Sequence, residues 1–101
     1  MYRYRTNPGG WCQPAQPATE AIQENIDILR ADFEKTSQLF NLNKFEARRY
    51  WYQDSFQGLQ NFCVETDIGE TESNLVYIEF RQNHSGKIAF TAFLRSWPWM
   101  M

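Results

Sequence analysis

The sequence Phe-Cys-Val-Glu-Thr-Asp-Ile at residues 62–68 decides the fold, because its side chains alternate in character at every step. The even-numbered positions carry Phe, Val, Thr and Ile, and the odd-numbered positions between them carry Cys, Glu and Asp. A period of two is typical of a β-strand with one face turned toward a core. The stretch therefore predicts a strand, and the fold must contain a sheet.

Two later segments repeat this alternation. Val76, Ile78 and Phe80 form one apolar face, and the segment 88–95 supplies a similar one. The residues 69–74 and 83–86 that separate the segments are typical of turns, so the three strands predict an antiparallel meander. Pairing Phe80 with Ile88 keeps both apolar sets on one side, and it leaves a loop, Gln82 to Gly86, in which Gly86 can take positive φ.

A helix is predicted over residues 18–40. Its apolar side chains recur at helical spacing on one narrow face, and Thr19 is a suitable N-cap. The residues of that face are Ile22, Ile26, Leu29, Phe33 and Phe40.

A second helix is predicted from Asn43 to about residue 57. Asn43 followed by Glu46 matches the capping-box pattern, and Phe45, Tyr52 and Phe56 would form its core face. The expected fold class is therefore α+β, with a two-helix antiparallel hairpin packed on one face of a three-stranded antiparallel β-meander, in the order ααβββ.

The chain divides into three regions. Residues 1–17 contain three Pro and a Gly-Gly pair, so we expect an extended N-terminal arm, which its aromatic residues should dock in part on the body. Residues 18–96 form a single α+β domain. Residues 97–101 form an apolar C-terminal tail, which either folds back over the core or inserts into another chain.

Composition places the 101-residue, 12.1 kDa chain among soluble single domains. No apolar run approaches the roughly 20 residues of a membrane span, and no secretory signal follows Met1, so we expect a cytoplasmic protein. Cys12 and Cys63 lack the spacing of a metal site or redox motif. Two reduced thiols are favoured, and a disulfide stays open.

The sequence offers little for catalysis. His84, the one histidine, lies in a predicted turn, and no nucleophile, metalloprotease or phosphate-binding motif is present. The acidic run 67–73 departs from the EF-hand pattern. We therefore expect no enzyme, no metal, no cofactor and no small-molecule substrate.

Aromatic residues exceed what a small core needs: the chain has four Trp, five Tyr and eight Phe. On a helix centred on Tyr52, Tyr50 points away from the core, whereas Trp51 lies on the flank, where it packs under the arm, covers the sheet edge or meets a partner. Tyr77 and Phe93 fall on the outer face of the meander, and Trp97 and Trp99 lie in the tail. Rings outside a core are typical of contact surfaces.

Charge is segregated although the net charge is only −2. No Lys or Arg occurs between Arg49 and Arg81, a span rich in Asp and Glu. This pattern predicts an acidic surface, either a simple solvated region or one that steers a partner.

These observations favour a small non-enzymatic protein-binding module, such as an inhibitor, immunity factor, adaptor or assembly subunit, that masks or bridges another protein or pairs with itself as a homodimer. The alternative is single-stranded nucleic-acid binding through Arg48-Arg49-Tyr50-Trp51 and the arm, against which the acidic balance argues. The predicted partner-binding residues are Tyr50, Trp51, Tyr77, Phe93, Trp97, Trp99, Glu65, Asp67, Glu70 and Glu72.

Overall fold

A computed structural model describes residues 11–12, 14–54, 58–69 and 74–95. These residues form one helix and one five-stranded antiparallel sheet. The elements, in chain order, are β1 (Gln16–Pro17), α1 (Glu20–Ser37), β2 (Glu46–Asp54), β3 (Gln60–Asp67), β4 (Leu75–Gln82) and β5 (Ile88–Leu94). The strands lie in the sheet in the same order as in the chain. The fold is α+β.

The predicted two-helix, three-strand arrangement is wrong. Residues 46–54, expected in a second helix, form strand β2, which pairs with β3 on one side and with β1 on the other. Tyr50 and Tyr52 on one face of β2 and Trp51 on the other all pack against apolar clusters. A strand with apolar residues on both faces loses its simple alternation, and its aromatic residues favour a sheet over a helix.

Helix α1 confirms the first predicted helix but ends earlier. Thr19 Oγ1 accepts a 3.2 Å hydrogen bond from the amide of Ile22, as expected of an N-cap. Gln38, with φ 63°, terminates the helix in the left-handed conformation. Phe40, predicted on the buried face, lies beyond this end and is 55% exposed. The buried residues of α1 are Ile22, Ile26, Leu29 and Phe33.

Strands β3 and β4 confirm the alternation in their sequences, but the β4–β5 register differs from the prediction. Ile88 pairs with Gln82 rather than with Phe80, and the loop runs over residues 83–87. Asn83 organises this loop, since its Oδ1 accepts hydrogen bonds from the amides of Ser85 and Lys87. Gly86 has the expected positive φ, 91°.

A bulge in the β4–β5 pair reverses the face of the last residues. Phe90 pairs with Phe80, whereas Ala92 pairs with the preceding Glu79, so Thr91 has no Cα partner in the ladder. The extra residue turns Phe93 toward the helix, where its ring meets that of Phe33 edge-on with 5.3 Å between centroids. The prediction that Phe93 lies on the outer face is therefore wrong.

The helix packs on one end of the sheet. Gln23 anchors it there, because its side chain donates to the carbonyl of Phe45 at 2.9 Å and accepts from the amide of Ala47 at 2.8 Å. Phe33 contacts Phe45, which immediately precedes β2, and Phe93, the penultimate residue of β5. β2 begins and β5 ends at the same end of the sheet, so these contacts of α1 lie toward that end.

The opposite face of the sheet carries a second apolar cluster, formed by Trp11, Trp51, Cys63 and Tyr77. The backbone amide of Cys12 bonds to the carbonyl of Tyr52 at 2.9 Å, and β1 continues this pairing along β2. The expected docking of the arm is thus confirmed for its described residues, which cover Trp51. Cys12 and Cys63 are both free thiols. No helix in the described ranges is both long and apolar enough to cross a membrane.

Candidate functional site

The helix-facing side of the sheet contains an open groove at the end away from the helix contacts. The groove has a volume of about 620 Å³. Its lining residues are Gln16, Tyr50, Tyr52, Asp54, Gln60 and Phe62. They come from β1, β2 and β3, so the rigid ladder of the sheet sets their spacing. We call this the Tyr50–Tyr52 groove.

One row of the groove follows strand β2. Tyr50, Tyr52 and Asp54 are alternate residues and therefore share a face, with about 7 Å between successive side chains. Both tyrosines are half-buried, and Asp54 is exposed. The row thus presents two phenol groups followed by a carboxylate. Their spacing equals that of alternate residues in an extended peptide.

The second row lies on β3 and supplies an aromatic floor. Phe62 pairs across the strands with Tyr52, and its ring centroid lies 6.1 Å from that of Tyr50. Phe62 also stacks on its cross-strand partner Phe80 of β4, with 5.0 Å between centroids and 14° between ring planes. This stacking fixes the floor in one orientation.

Among the described residues, Asp54 is the one charged member of the groove lining, and none of them supplies it with a cationic partner. Its Oδ1 accepts a 2.9 Å hydrogen bond from the side-chain amide of Gln60. The pKa of Tyr52 is raised chiefly by a hydrogen bond with Cys12 and by the electrostatic effect of that thiol. Burial and the charge of Asp54 raise this pKa further, by smaller amounts. The groove therefore combines two phenol hydroxyls with one carboxylate.

Two predicted contact aromatics lie on the opposite face of the sheet and are buried. Trp51 is 2% exposed and Tyr77 7% exposed. Their rings are 6.3 Å apart, and the Arg49 guanidinium lies 5.0 Å from the Trp51 ring. These contacts place both rings in a core cluster beneath the arm, and their partner-binding function stays a prediction.

The predicted acidic residues Glu65 and Asp67 are buried and paired. Arg49 holds Glu65 through two hydrogen bonds of 3.0 and 3.2 Å. Lys44 and Arg48 lie 3.3 and 3.4 Å from Asp67 Oδ2. The charges that are segregated along the sequence are thus matched across the β2–β3 pair.

The other predicted contact residues lie elsewhere. Phe93 is half-buried against the helix, as described above. Trp97, Trp99, Glu70 and Glu72 lie outside the described residues, as does the tail as a whole. Of the predicted residues that the structure describes, Tyr50 alone lines the groove.

The cluster Arg48-Arg49-Tyr50-Trp51 does not form one surface. Tyr50 faces the groove, while Arg49 and Trp51 face the opposite side of the sheet. Both arginines pair with carboxylates, Arg48 with Asp67 and Arg49 with Glu65. Alternation along a strand separates the basic and aromatic groups that a helix would have placed side by side.

Sequence reasoning missed Asp54, Gln16 and Gln60 as site residues and assigned Tyr52 to a core. The signal that identifies them is the period-two series Tyr50, Tyr52, Asp54, which the capping-box interpretation obscured. The groove also needs Phe62 beside Tyr52, a pairing between strands that no local pattern encodes.

The described residues contain no group of three or more His, Cys, Asp or Glu side chains placed to hold a metal ion. His84 is exposed in the β4–β5 loop, next to Gly58. Neither observation identifies a reaction centre among the described residues, and the assignment as a non-enzymatic protein stays a prediction.

No protein-family model, curated protein or solved structure matches this chain.

Proposed function

We propose that this protein is a non-enzymatic protein-binding module that covers or bridges a partner protein through the Tyr50–Tyr52 groove. The observation that carries the proposal is the pair of half-buried tyrosines above a fixed Phe62 floor. Tyrosine supplies a large contact area and a hydrogen-bonding hydroxyl at low entropic cost, which is why it is enriched at the energetic centres of interfaces.

The shape of the groove supports a chain-like partner. It is open, and it runs along β2, where side chains repeat at the spacing of an extended strand. Asp54 and Gln60 at its end supply polar groups that fix orientation. A short segment of a partner protein fits this mixture of aromatic floor and polar rim.

The test compares Tyr50→Ala and Tyr52→Ala with Phe40→Ala, an aromatic truncation at an exposed position that does not line the groove. Wild-type and variant proteins are immobilised and used to capture partners from the native lysate, and each captured protein is then purified and titrated. We expect the two groove variants to lose a partner that Phe40→Ala retains. Retention of every partner by both groove variants, at unchanged affinity, would contradict the proposal.

Light scattering on the same proteins distinguishes self-association from a foreign partner. A homodimer through the groove predicts a wild-type mass twice that of the chain and monomeric groove variants. Thermal unfolding of each variant verifies that the substitutions leave the fold intact.

A further inference from the structure

The charge of the groove restricts the chemistry of its occupant. Within the described residues, Asp54 carries the single formal charge of the lining, and its hydrogen-bonding partner is the neutral amide of Gln60. A partner that covers Asp54 with apolar groups would strip water from a carboxylate without compensation. A favourable occupant must therefore bring donors, and preferably a positive charge, to this end of the groove.

The aromatic rings restrict it further. Tyr52 lies two residues before Asp54 on the same face, and Phe62 lies across the strand pair from Tyr52. A cation placed over such rings gains from their negative faces. A planar cation gains most, since it can stack on a ring and at the same time present parallel N–H groups to a carboxylate.

We propose that the groove binds an arginine side chain of the partner, with the guanidinium stacked on Tyr52 and paired with Asp54. This inference rests on the proposed function and specifies the partner as a segment with an exposed arginine. Lysine would supply charge without the planar stacking surface, and an uncharged planar group would supply stacking without charge.

The same features argue against a nucleic acid at this site. No Lys or Arg of the described residues lines the groove, and the charge of Asp54 repels phosphate. The nearest basic residues along β2, Arg48 and Arg49, are already paired with carboxylates. A base stacked on Tyr50 or Phe62 would bring its phosphates toward Asp54 without a compensating cation from the described residues.

The experiment titrates the full chain, labelled for NMR, with a short peptide of alternating glycine and arginine. Matched peptides replace arginine by lysine or by the neutral isostere citrulline. We expect amide shifts confined to the groove residues of β1, β2 and β3, tightest binding for arginine and weakest for citrulline. Asp54→Asn should weaken arginine-peptide binding by about fivefold, the order expected of one partly exposed charge pair. Glu24→Gln, which removes one exposed carboxylate from α1, is the control and should leave the affinity unchanged.

Three results overturn the inference: equal affinity for the arginine and citrulline peptides, unchanged affinity in Asp54→Asn, or shifts outside the groove. A thymidine oligonucleotide is titrated in parallel. Tighter oligonucleotide binding by Asp54→Asn than by wild type, with shifts at Tyr50 and Phe62, would assign the groove to nucleic acid instead.

The failure of this inference is distinguishable from that of the proposed function. If Tyr50→Ala abolishes binding of a captured partner while Asp54→Asn does not, the groove binds protein without recognising arginine. If neither substitution affects any partner, the proposed function fails as well.

Discussion

Tyr77 donates a 3.1 Å hydrogen bond from its hydroxyl to Glu65 Oε2, the carboxylate that Arg49 also holds from the neighbouring strand. Burial raises the pKa of Tyr77 to about 12, reinforced by the charge and the hydrogen bond of Glu65. The three residues lie side by side on β2, β3 and β4 and join these strands on the face opposite the helix.

Removal of the Tyr77 hydroxyl should cost less than removal of the carboxylate. Tyr77→Phe loses one hydrogen bond, with an expected loss of about 1 kcal/mol in the free energy of unfolding. Glu65→Ala leaves the buried hydroxyl without its acceptor and Arg49 without its partner, with an expected loss of about 2 to 3 kcal/mol. Urea unfolding measures both. The double variant should lose less than the two single losses added together, and strict additivity would contradict the shared network.

Core packing of α1 is tested by two isoleucines on opposite sides of the helix. Ile26 is fully buried, whereas Ile28 is 68% exposed. Ile26→Ala should destabilise the protein by about 2 to 5 kcal/mol, because it leaves a cavity in the core. Ile28→Ala should change the free energy of unfolding by no more than about 0.5 kcal/mol. Similar losses for the two variants in denaturant unfolding would show that the helix is rotated relative to this structure.

The shifted pKa values of two carboxyl groups predict opposite changes of stability with pH. The first group is Asp67. Burial raises its pKa, but the hydrogen bond from the amide of Gly69 and the charges of Lys44 and Arg48 outweigh this and lower it. A lowered pKa contributes stability above the ordinary value of about 3.9, and this contribution is lost as the pH falls through the folded-state pKa. Asp67→Asn should therefore be less stable than wild type near neutral pH, with a difference that shrinks in acid.

The second is Glu79, whose pKa burial raises. Its stabilising contribution is present below the ordinary value of about 4.3, where the group is protonated, and is lost as the pH rises through the folded-state pKa. Glu79→Gln should therefore be more stable than wild type near neutral pH, with a difference that vanishes in acid. Thermal unfolding between neutral and acid pH measures both variants, and profiles of the same sign would contradict the assigned environments.

The two thiols should differ in reactivity. Cys63 is fully buried in the cluster with Trp11 and Trp51, and burial raises the pKa of its thiol. Cys12 is partly exposed. Alkylation of the native protein should label Cys12 first, and Trp11→Ala should accelerate labelling of Cys63 because it removes part of the cover. Site-resolved mass spectrometry measures both rates, and equal rates in the wild-type protein would contradict the burial of Cys63.

The sequence predicted elements whose two faces differ in character. α1 has one apolar stripe, so helical spacing located its buried residues and Thr19 located its start. β3 and β4 alternate, so their faces followed as well. Phe40 was misassigned because the left-handed residue Gln38 ends the helix before it, and helical spacing alone does not register such an end.

The candidate site was harder to predict, since its three strands pair with partners distant in sequence. Of the groove residues, the sequence indicated Tyr50 as a contact, but on a helix and for a different geometric reason. Tyr52, Asp54, Phe62 and Gln60 become one surface when β2 pairs with β3. Glu65 and Asp67 are the opposite case. The sequence predicted an acidic contact surface there, but the folded chain brings two arginines and a lysine next to these carboxylates.

By itself the sequence determined an α+β chain with an amphipathic first helix and alternating strands, because hydrophobic periodicity reports how one element meets a core. The tertiary structure alone decided that residues 46–54 are a strand, that Trp51 is buried under Trp11, and that Tyr50 and Tyr52 border an open groove. The physical reason is that β2 receives its hydrogen bonds and its burial from β1, β3 and the arm. Such nonlocal contacts outweigh the local capping signal at Asn43 and Glu46.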